Sequence, residues 1–102
     1  MFRVLLARQA AKDIDAIFNR IAADSPSNAA AMVERLFNAI DGLTLFPHRT
    51  VVTGQSPRAR YPLRSLPMQS CIIFFRVRDD ENIVRIVRVR HGSRERLRRY
   101  PR

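Results

Sequence analysis

Apolar residues in the first half of the chain recur at the spacing of an α-helix. One stripe consists of Ala10, Ile14, Ile17, Phe18 and Ile21, and a second consists of Ala29, Met32, Val33, Leu36, Phe37, Ile40 and Leu43. Both follow the period of about 3.6 residues that places side chains on one helical face. Ser25 is suited to cap the second helix, Pro26 to occupy its first position, and Pro47 to end it. The pattern predicts two amphipathic helices packed as an antiparallel hairpin.

The second half of the chain changes to a period of two. In the run CIIFFRVR, Ile73, Phe75 and Val77 alternate with Ile72, Phe74, Arg76 and Arg78; in the run NIVRIVRVR, Val84 and Ile86 alternate with Val87 and Val89. The acidic stretch DDE between the runs is typical of a hairpin turn. Because both faces of these strands are largely apolar, we expect them to be central, with one face under the helices and the other covered by something else or left as a groove.

Two weaker strand signals complete the predicted fold. FRVLL, residues Phe2 to Leu6, is β-prone, and a short strand is expected around Ala59 to Leu63 after a polar connection. The order predicts an α+β domain, β-α-α-β-β-β, in which the helical hairpin packs on one face of a small antiparallel sheet. With 102 residues and no internal repeat, we expect one domain over residues 1–102, ending in a basic tail at about residues 94–102.

Positive charge is concentrated in the second half. The net charge is +10. The segment from Arg58 to Arg102 contains thirteen arginines and four acidic residues, so its own net charge is +9. Lys12 is the only lysine. Guanidinium groups clamp carboxylates and phosphates but are not deprotonated in proteins, so they are poor bases. The charge therefore favours an acidic partner.

Several classes of site are excluded by the same sequence. Cys71 is the single cysteine, expected as core filler, so there is no internal disulfide; His48 and His91 stand apart from acid pairs, so no metal site is expected, and nothing calls for a cofactor. Glycine-rich phosphate loops and nucleophile triads are absent. No apolar run is long enough to span a membrane and Met1 to Ala7 does not resemble a signal peptide, so a cytoplasmic location is expected.

The remaining chemistry lies in arginines, His91 and Tyr100. His91 directly follows the last strand and is open to three interpretations: a general base, a hydrogen-bonding residue that fixes the turn, or an exposed idle side chain. Arg94 is placed to stabilise an anion beside it or to pair with Glu95. The strand arginines form either one basic patch or solvent-exposed flanks of apolar strands; they are Arg76, Arg78, Arg85, Arg88 and Arg90.

Two long segments resemble the ParE branch of the ParE/RelE toxins, which belong to type II toxin–antitoxin and plasmid stabilisation systems. They are AAKDIDAIFNRIAADSPSNAAAMVERLFNAIDGLTLFP and YPLRSLPMQSCIIFFRVRDDENIVRIVRVRHGSRE. The most specific parts are Leu63 to Pro67, Phe74 to Val77, the acidic turn, and Val89 to Glu95. The chain departs from the family at Cys71, where an aromatic residue is common.

The resemblance implies a toxin held inactive by a cognate antitoxin with an acidic or amphipathic C-terminal segment, usually as a hetero-oligomeric complex. ParE-type toxins poison DNA gyrase, which requires a binding surface and no catalytic set. We therefore predict a gyrase inhibitor, and not an enzyme, whose target- or antitoxin-binding surface comprises Arg64, Arg76, Arg88, Arg90, His91 and Arg94.

Two alternatives stay open. RelE-type relatives cleave messenger RNA on the ribosome, and in that case the catalytic candidates are His91, Arg94 and Tyr100. The chain has no lysine on its predicted sheet, and Ile72 stands where RelE-type enzymes tend to place an arginine. Cleavage of a phosphodiester needs groups that transfer protons, for which only His91 or Tyr100 is suited, and cations that stabilise the phosphate, for which Arg94 and Arg76 are suited. This is a small set for catalysis. The second alternative is a non-toxic nucleic-acid-binding module, for which salt-sensitive binding to plain duplex is expected.

Overall fold

The computed structural model describes residues 1–53 and 60–92. Along the chain the elements are β1 (Arg3–Leu6), α1 (Arg8–Ala22), α2 (Pro26–Gly42), a 3-10 turn (Pro47–Arg49), β2 (Val51–Val52), β3 (Leu63–Met68), β4 (Cys71–Arg78) and β5 (Ile83–His91). The five strands form one sheet in the order β1-β5-β4-β3-β2. All neighbouring strands are antiparallel except β1 and β5, which run parallel. The predicted α+β class is confirmed, and β2 is an additional, very short strand.

The helical hairpin covers one face of the sheet. Ala10, Ile14 and Ile17 of α1 and Leu36 and Ile40 of α2 are buried against the strands. At the start of α2, the Ser25 hydroxyl accepts the Asn28 backbone N–H at 3.3 Å, and Pro26 is the first helical residue, as predicted.

Two aromatic residues of the predicted stripes lie outside the core. Phe18 and Phe37 are 38% and 40% exposed, so their assignment to the buried stripes was wrong. Both stand at the margin of an apolar arc that is wider than the contact between the helices and the sheet.

The core of the sheet follows the period of two until β5 is interrupted. On β4, Cys71, Ile73, Phe75 and Val77 are buried and the residues between them are half-buried. On β5 the pairing passes from Phe75–Ile86 to Phe74–Arg88, so Val87 is an extra residue in a β-bulge. The bulge returns Val89 to the buried face, where it is 2% exposed. The prediction that the side chain of Val89 lies on the other face of β5 from Val84 and Ile86 was therefore wrong.

Two strand boundaries also differ from the expected ones. The strand expected around Ala59 to Leu63 instead begins at Leu63 and continues to Met68, and Ala59 lies outside the described residues. The last strand begins at Ile83, because Asn82 closes the turn with a positive φ of 56°. The left-handed conformation is one that asparagine tolerates better than most residues.

Candidate functional site

The face of the sheet away from the helices is both apolar and basic. It carries Ile72, Phe74, Arg76 and Arg78 from β4, all half-buried, and we call these residues with Arg85 of β5 the open face. Arg76 and Arg85 are paired opposite each other across the two strands. Guanidinium groups beside a half-buried aromatic ring suit a partner that offers both apolar and anionic groups. The face is less apolar than predicted, because three of these five residues are arginines and Val89 lies on the other face.

Two arginines of the predicted surface hold nearby loops. Arg76 Nη1 donates to the carbonyl oxygen of Tyr61 at 2.6 Å, and Arg64 Nη1 donates to the carbonyl oxygen of Thr50 at 2.8 Å. Charge-assisted bonds of this kind are stronger than neutral ones. Arg64 and Arg76 therefore position the segments before β2 and β3, in addition to any contact with a partner.

A cluster around Tyr61 was missed at the level of sequence. Its hydroxyl donates to the Asp80 carboxylate at 3.1 Å, and the guanidinium carbons of Arg78 and Arg60 lie 5.0 and 5.2 Å from its ring centre. The register of β3 against β4 explains the cluster. Leu63 pairs with Arg76 in an antiparallel arrangement, so Tyr61, two residues before Leu63, lies near Arg78, two residues after Arg76.

The acidic turn has more than the predicted turn-forming role. Asp79 contacts the His48 imidazole at 2.9 Å, Asp80 accepts from Tyr61, and Glu81 lies 3.5 Å from Arg78. Each acid of the turn therefore joins the β4–β5 hairpin to a neighbouring residue or loop.

His91 lies on the helix side of the sheet. It pairs with Cys71, whose side chain is fully buried, whereas Arg76 belongs to the open face. The two positions on β4, residues 71 and 76, are about 16 Å apart along the strand. Burial, and after it the Arg20 guanidinium, lower the pKa of His91 below 6.5. His91 is therefore neutral near pH 7 and does not share a surface with Arg76.

The other predicted surface residues divide into three groups. Arg88 is bound to Asp13 of α1 at 2.8 Å, and Asp13 also accepts the Val89 backbone N–H at 2.9 Å. Arg90 is exposed near the end of β5. Arg94 and Tyr100, the remaining candidates, lie outside the described residues, as does the tail at about residues 94–102.

Cys71 behaves as the expected core filler. Its side chain is fully buried, and its sulfur lies 3.9 Å from the Met32 sulfur. Within residues 1–53 and 60–92, no three histidine, cysteine or acidic side chains are grouped to hold a metal ion. In the same ranges no helix has the length and apolar character needed to cross a membrane.

Comparison with known proteins gives a consistent family. The sequence matches the family described as the ParE toxin of the type II toxin–antitoxin system parDE over residues 4–96. The fold is similar to that of the chromosomal ParDE toxin–antitoxin system from P. aeruginosa, with a TM-score of 0.71, 21% identity, and coverage of 89% of this chain and 96% of that one.

A second similar structure is the RelBE2 toxin–antitoxin complex from Mycobacterium tuberculosis, with a TM-score of 0.62, 23% identity, and coverage of 89% of this chain and 98% of that one. At these identities the structures show a shared fold alone. A comparison with curated protein sequences finds no significant match. Because the family match spans nearly the whole sequence, the chain belongs to the ParE toxin family of type II toxin–antitoxin systems.

Proposed function

We propose that this toxin inhibits DNA gyrase by binding through its open face, and that a cognate antitoxin neutralises it in the cytoplasm. The observation that carries the proposal is the composition of the open face, where Ile72 and Phe74 adjoin Arg76, Arg78 and Arg85. A face of this kind binds an acidic or nucleic-acid-associated partner without needing a reacting group.

The arrangement of proton-transfer groups supports a binding role over RNA cleavage. His91 lies on the other face of the sheet from Arg76. Near Arg76, the Tyr61 hydroxyl is bound to Asp80. A cleavage centre needs an acid and a base within hydrogen-bond reach of the same phosphate. The described residues offer Arg76 no such pair, although Arg94 and Tyr100 remain the candidates for the ribonuclease alternative.

The exposed aromatic residues of the helices offer a place for the antitoxin. Phe18 and Phe37 line a hollow of about 240 Å³ together with Leu6, Ile14 and Val33. Both rings are more than a third exposed. An amphipathic segment of the antitoxin would cover these rings with apolar residues and place acidic ones near the arginines of the toxin. The similar structures belong to toxin–antitoxin systems, which supports a hetero-oligomeric complex here.

Purified toxin, separated from its antitoxin, is expected to inhibit supercoiling by gyrase and to trap gyrase–DNA cleavage complexes. Arg85→Gln is expected to weaken inhibition by about tenfold, because central interface arginines commonly contribute at this level. The measurement is the toxin concentration that halves supercoiling, read on relaxed plasmid.

Arg35→Gln is the matched control, since it removes the same charge from the exposed side of α2. Equal weakening by both variants would show that only total charge matters and would remove the open face from the proposal. If the toxin leaves gyrase unaffected but produces codon-phased ends in messenger RNA on ribosomes, the ribonuclease alternative replaces it. Binding to plain duplex without growth inhibition would instead support the non-toxic module.

A further inference from the structure

A small polar hollow lies between α1 and the end of β5, away from the open face. Its volume is about 200 Å³. We call it the α1–β5 hollow; it is lined by Asp13, Ala16, Ile17 and Arg20 from the helix and by Arg88, Val89, Arg90 and His91 from the strand. A water molecule occupies about 30 Å³ of liquid, so there is room for a tetrahedral oxyanion and some solvent.

The charges around the hollow do not balance. Asp13 is the one acid among the described residues that line it, and that carboxylate already accepts from Arg88 and from the Val89 backbone N–H. Arg20 and Arg90 form no ion pair with any acid in the described part of the chain. Two guanidinium groups therefore face the hollow without a counter-charge.

His91 adds an unpaired polar atom at the same place. Its Nδ1 is buried and has no hydrogen-bond partner among the described residues. Buried nitrogen atoms of this kind are uncommon, and they point to a missing partner such as an ion or water. Less than 1 Å² of this atom is accessible, so the imidazole ring must turn for Nδ1 to reach an ion in the hollow. Together with the uncompensated arginines, the unpaired atom is consistent with a site for an acceptor.

We propose that the α1–β5 hollow binds a phosphate group, with Arg20 and Arg90 supplying the positive charge and His91 donating a hydrogen bond. The backbone of the site belongs to two elements of the packed fold, α1 and β5. A nucleotide and the DNA backbone present the same phosphate chemistry. Arg90 pairs with Ile72 of the open face, whereas Arg20 lies on α1. Arg20→Gln is therefore the variant that separates failure of this proposal from failure of the one on gyrase.

The site should couple anion binding to the protonation of His91. The groups that face His91 are Arg20 and Asp13 from α1, Arg88 and Arg90 from its own strand, and the Cys71 thiol from β4. From α2, Met32 contacts Cys71 and Arg35 bonds to Gln69, next to this end of the sheet. An anion between the arginines would offset the repulsion from Arg20 and raise the pKa of His91. By linkage, affinity should increase as pH falls through the His91 pKa of the bound state.

Sulfate is the suitable first probe, because its charge does not change over the range in which histidine titrates. The two imidazoles would be followed by nuclear magnetic resonance during sulfate titration at constant ionic strength. His48 serves as an internal reference, since it is exposed and paired with Asp79 at the other end of β4. We expect sulfate to shift the His91 resonances, to raise the pKa of His91 and to leave His48 unchanged. Equal responses of both histidines would overturn the proposal.

Substitutions then test which charges form the site. Arg20→Gln and Arg90→Gln are each expected to weaken sulfate binding by about fivefold, the upper range for an exposed ion pair. Arg49→Gln, on the 3-10 turn, removes the same charge outside the hollow and should change binding little. A loss in Arg49→Gln as large as in Arg20→Gln would reduce the effect to general charge and reject the site.

Asp13→Asn is expected to change sulfate affinity in the opposite direction. It removes the one acid among the described residues of the hollow, so sulfate should bind more tightly even if the fold loses some stability. Weaker binding by folded Asp13→Asn would contradict the proposal. Inorganic phosphate, a nucleoside triphosphate and a short DNA duplex, tested with Arg49→Gln and Arg90→Gln, would then show which source of phosphate depends on the hollow.

Discussion

Phe75→Ala is expected to destabilise the protein by about 4 kcal/mol, a large share of the roughly 5–15 kcal/mol that is typical of a domain. Phe75 is fully buried on the core face of β4, and across the sheet it pairs with Arg64 on one side and with Ile86 on the other. Removing its ring leaves a cavity under both helices that the surrounding side chains fill only in part. Urea unfolding followed by circular dichroism measures the loss.

Phe74→Ala is the matched control, because it removes the same ring from the adjacent residue on the opposite face. Phe74 is half-buried and has no helix over it. We expect a loss of about 1 kcal/mol, since much of its surface is already in water. Phe74→Ala should remain folded, keep its antitoxin and lose gyrase inhibition. Phe75→Ala should reduce antitoxin binding and gyrase inhibition together, in proportion to the smaller fraction of protein that is folded.

The pair also tests the assignment of the two faces. Equal destabilisation by both substitutions would mean that the open face is packed against something in the folded protein. A stable Phe75→Ala would contradict the core described for β4. Retained gyrase inhibition by folded Phe74→Ala would move the target surface elsewhere.

The helices and the central hairpin were predictable because local periodicity reports directly on burial. Leu36 and Ile40 recur at helical spacing and are buried, and Ile73, Phe75 and Val77 alternate and are buried. Periodicity fails where the backbone inserts a residue. The bulge at Val87 places the side chain of Val89 on the core face instead of the open face. No residue type in that run of the sequence predicts the bulge.

The site was less predictable, because its contacts join residues that are distant in sequence. The Asp13–Arg88 bond spans 75 positions and the Tyr61–Asp80 bond spans 19. His91 was singled out from the sequence, but the side of the sheet that it faces depends on the β5 register. The parallel pairing of β1 with β5 was unpredictable for the same reason, since these strands are far apart in sequence and only the assembled fold brings them together.

Asp13→Ala is expected to cost about 2 kcal/mol, the second-largest effect, because it leaves the Val89 backbone N–H without an acceptor. β1 ends at Leu6, and the last bond between these strands joins the Ala7 N–H to the Ile86 carbonyl oxygen. Beyond that point no described strand pairs with the outer edge of β5. The Asp13 carboxylate takes the place of a strand there, since it accepts the Val89 N–H at 2.9 Å.

The same carboxylate makes part of the stability depend on pH. Burial alone would raise the pKa of Asp13, but bonds from Arg88, Val89 and Gln9 hold the pKa below 3.8. A carboxylate with a lowered pKa stabilises the folded protein above its unfolded pKa, and the stabilisation is lost as pH falls through the folded pKa. The difference in stability between the wild type and Asp13→Ala should therefore shrink below about pH 4.

Urea unfolding of both proteins at neutral and acid pH measures this difference. Asp15→Ala is the matched control: it removes an exposed acid from the same helix and should change stability by less than about 0.5 kcal/mol. A wild-type advantage over Asp13→Ala that stayed constant into acid would show that the negative charge of Asp13 does not contribute to that advantage. The stability of Asp13→Asn should lie between those of the wild type and Asp13→Ala. Its amide oxygen can still accept the Val89 N–H at the strand edge, but the variant loses the charge that pairs with Arg88.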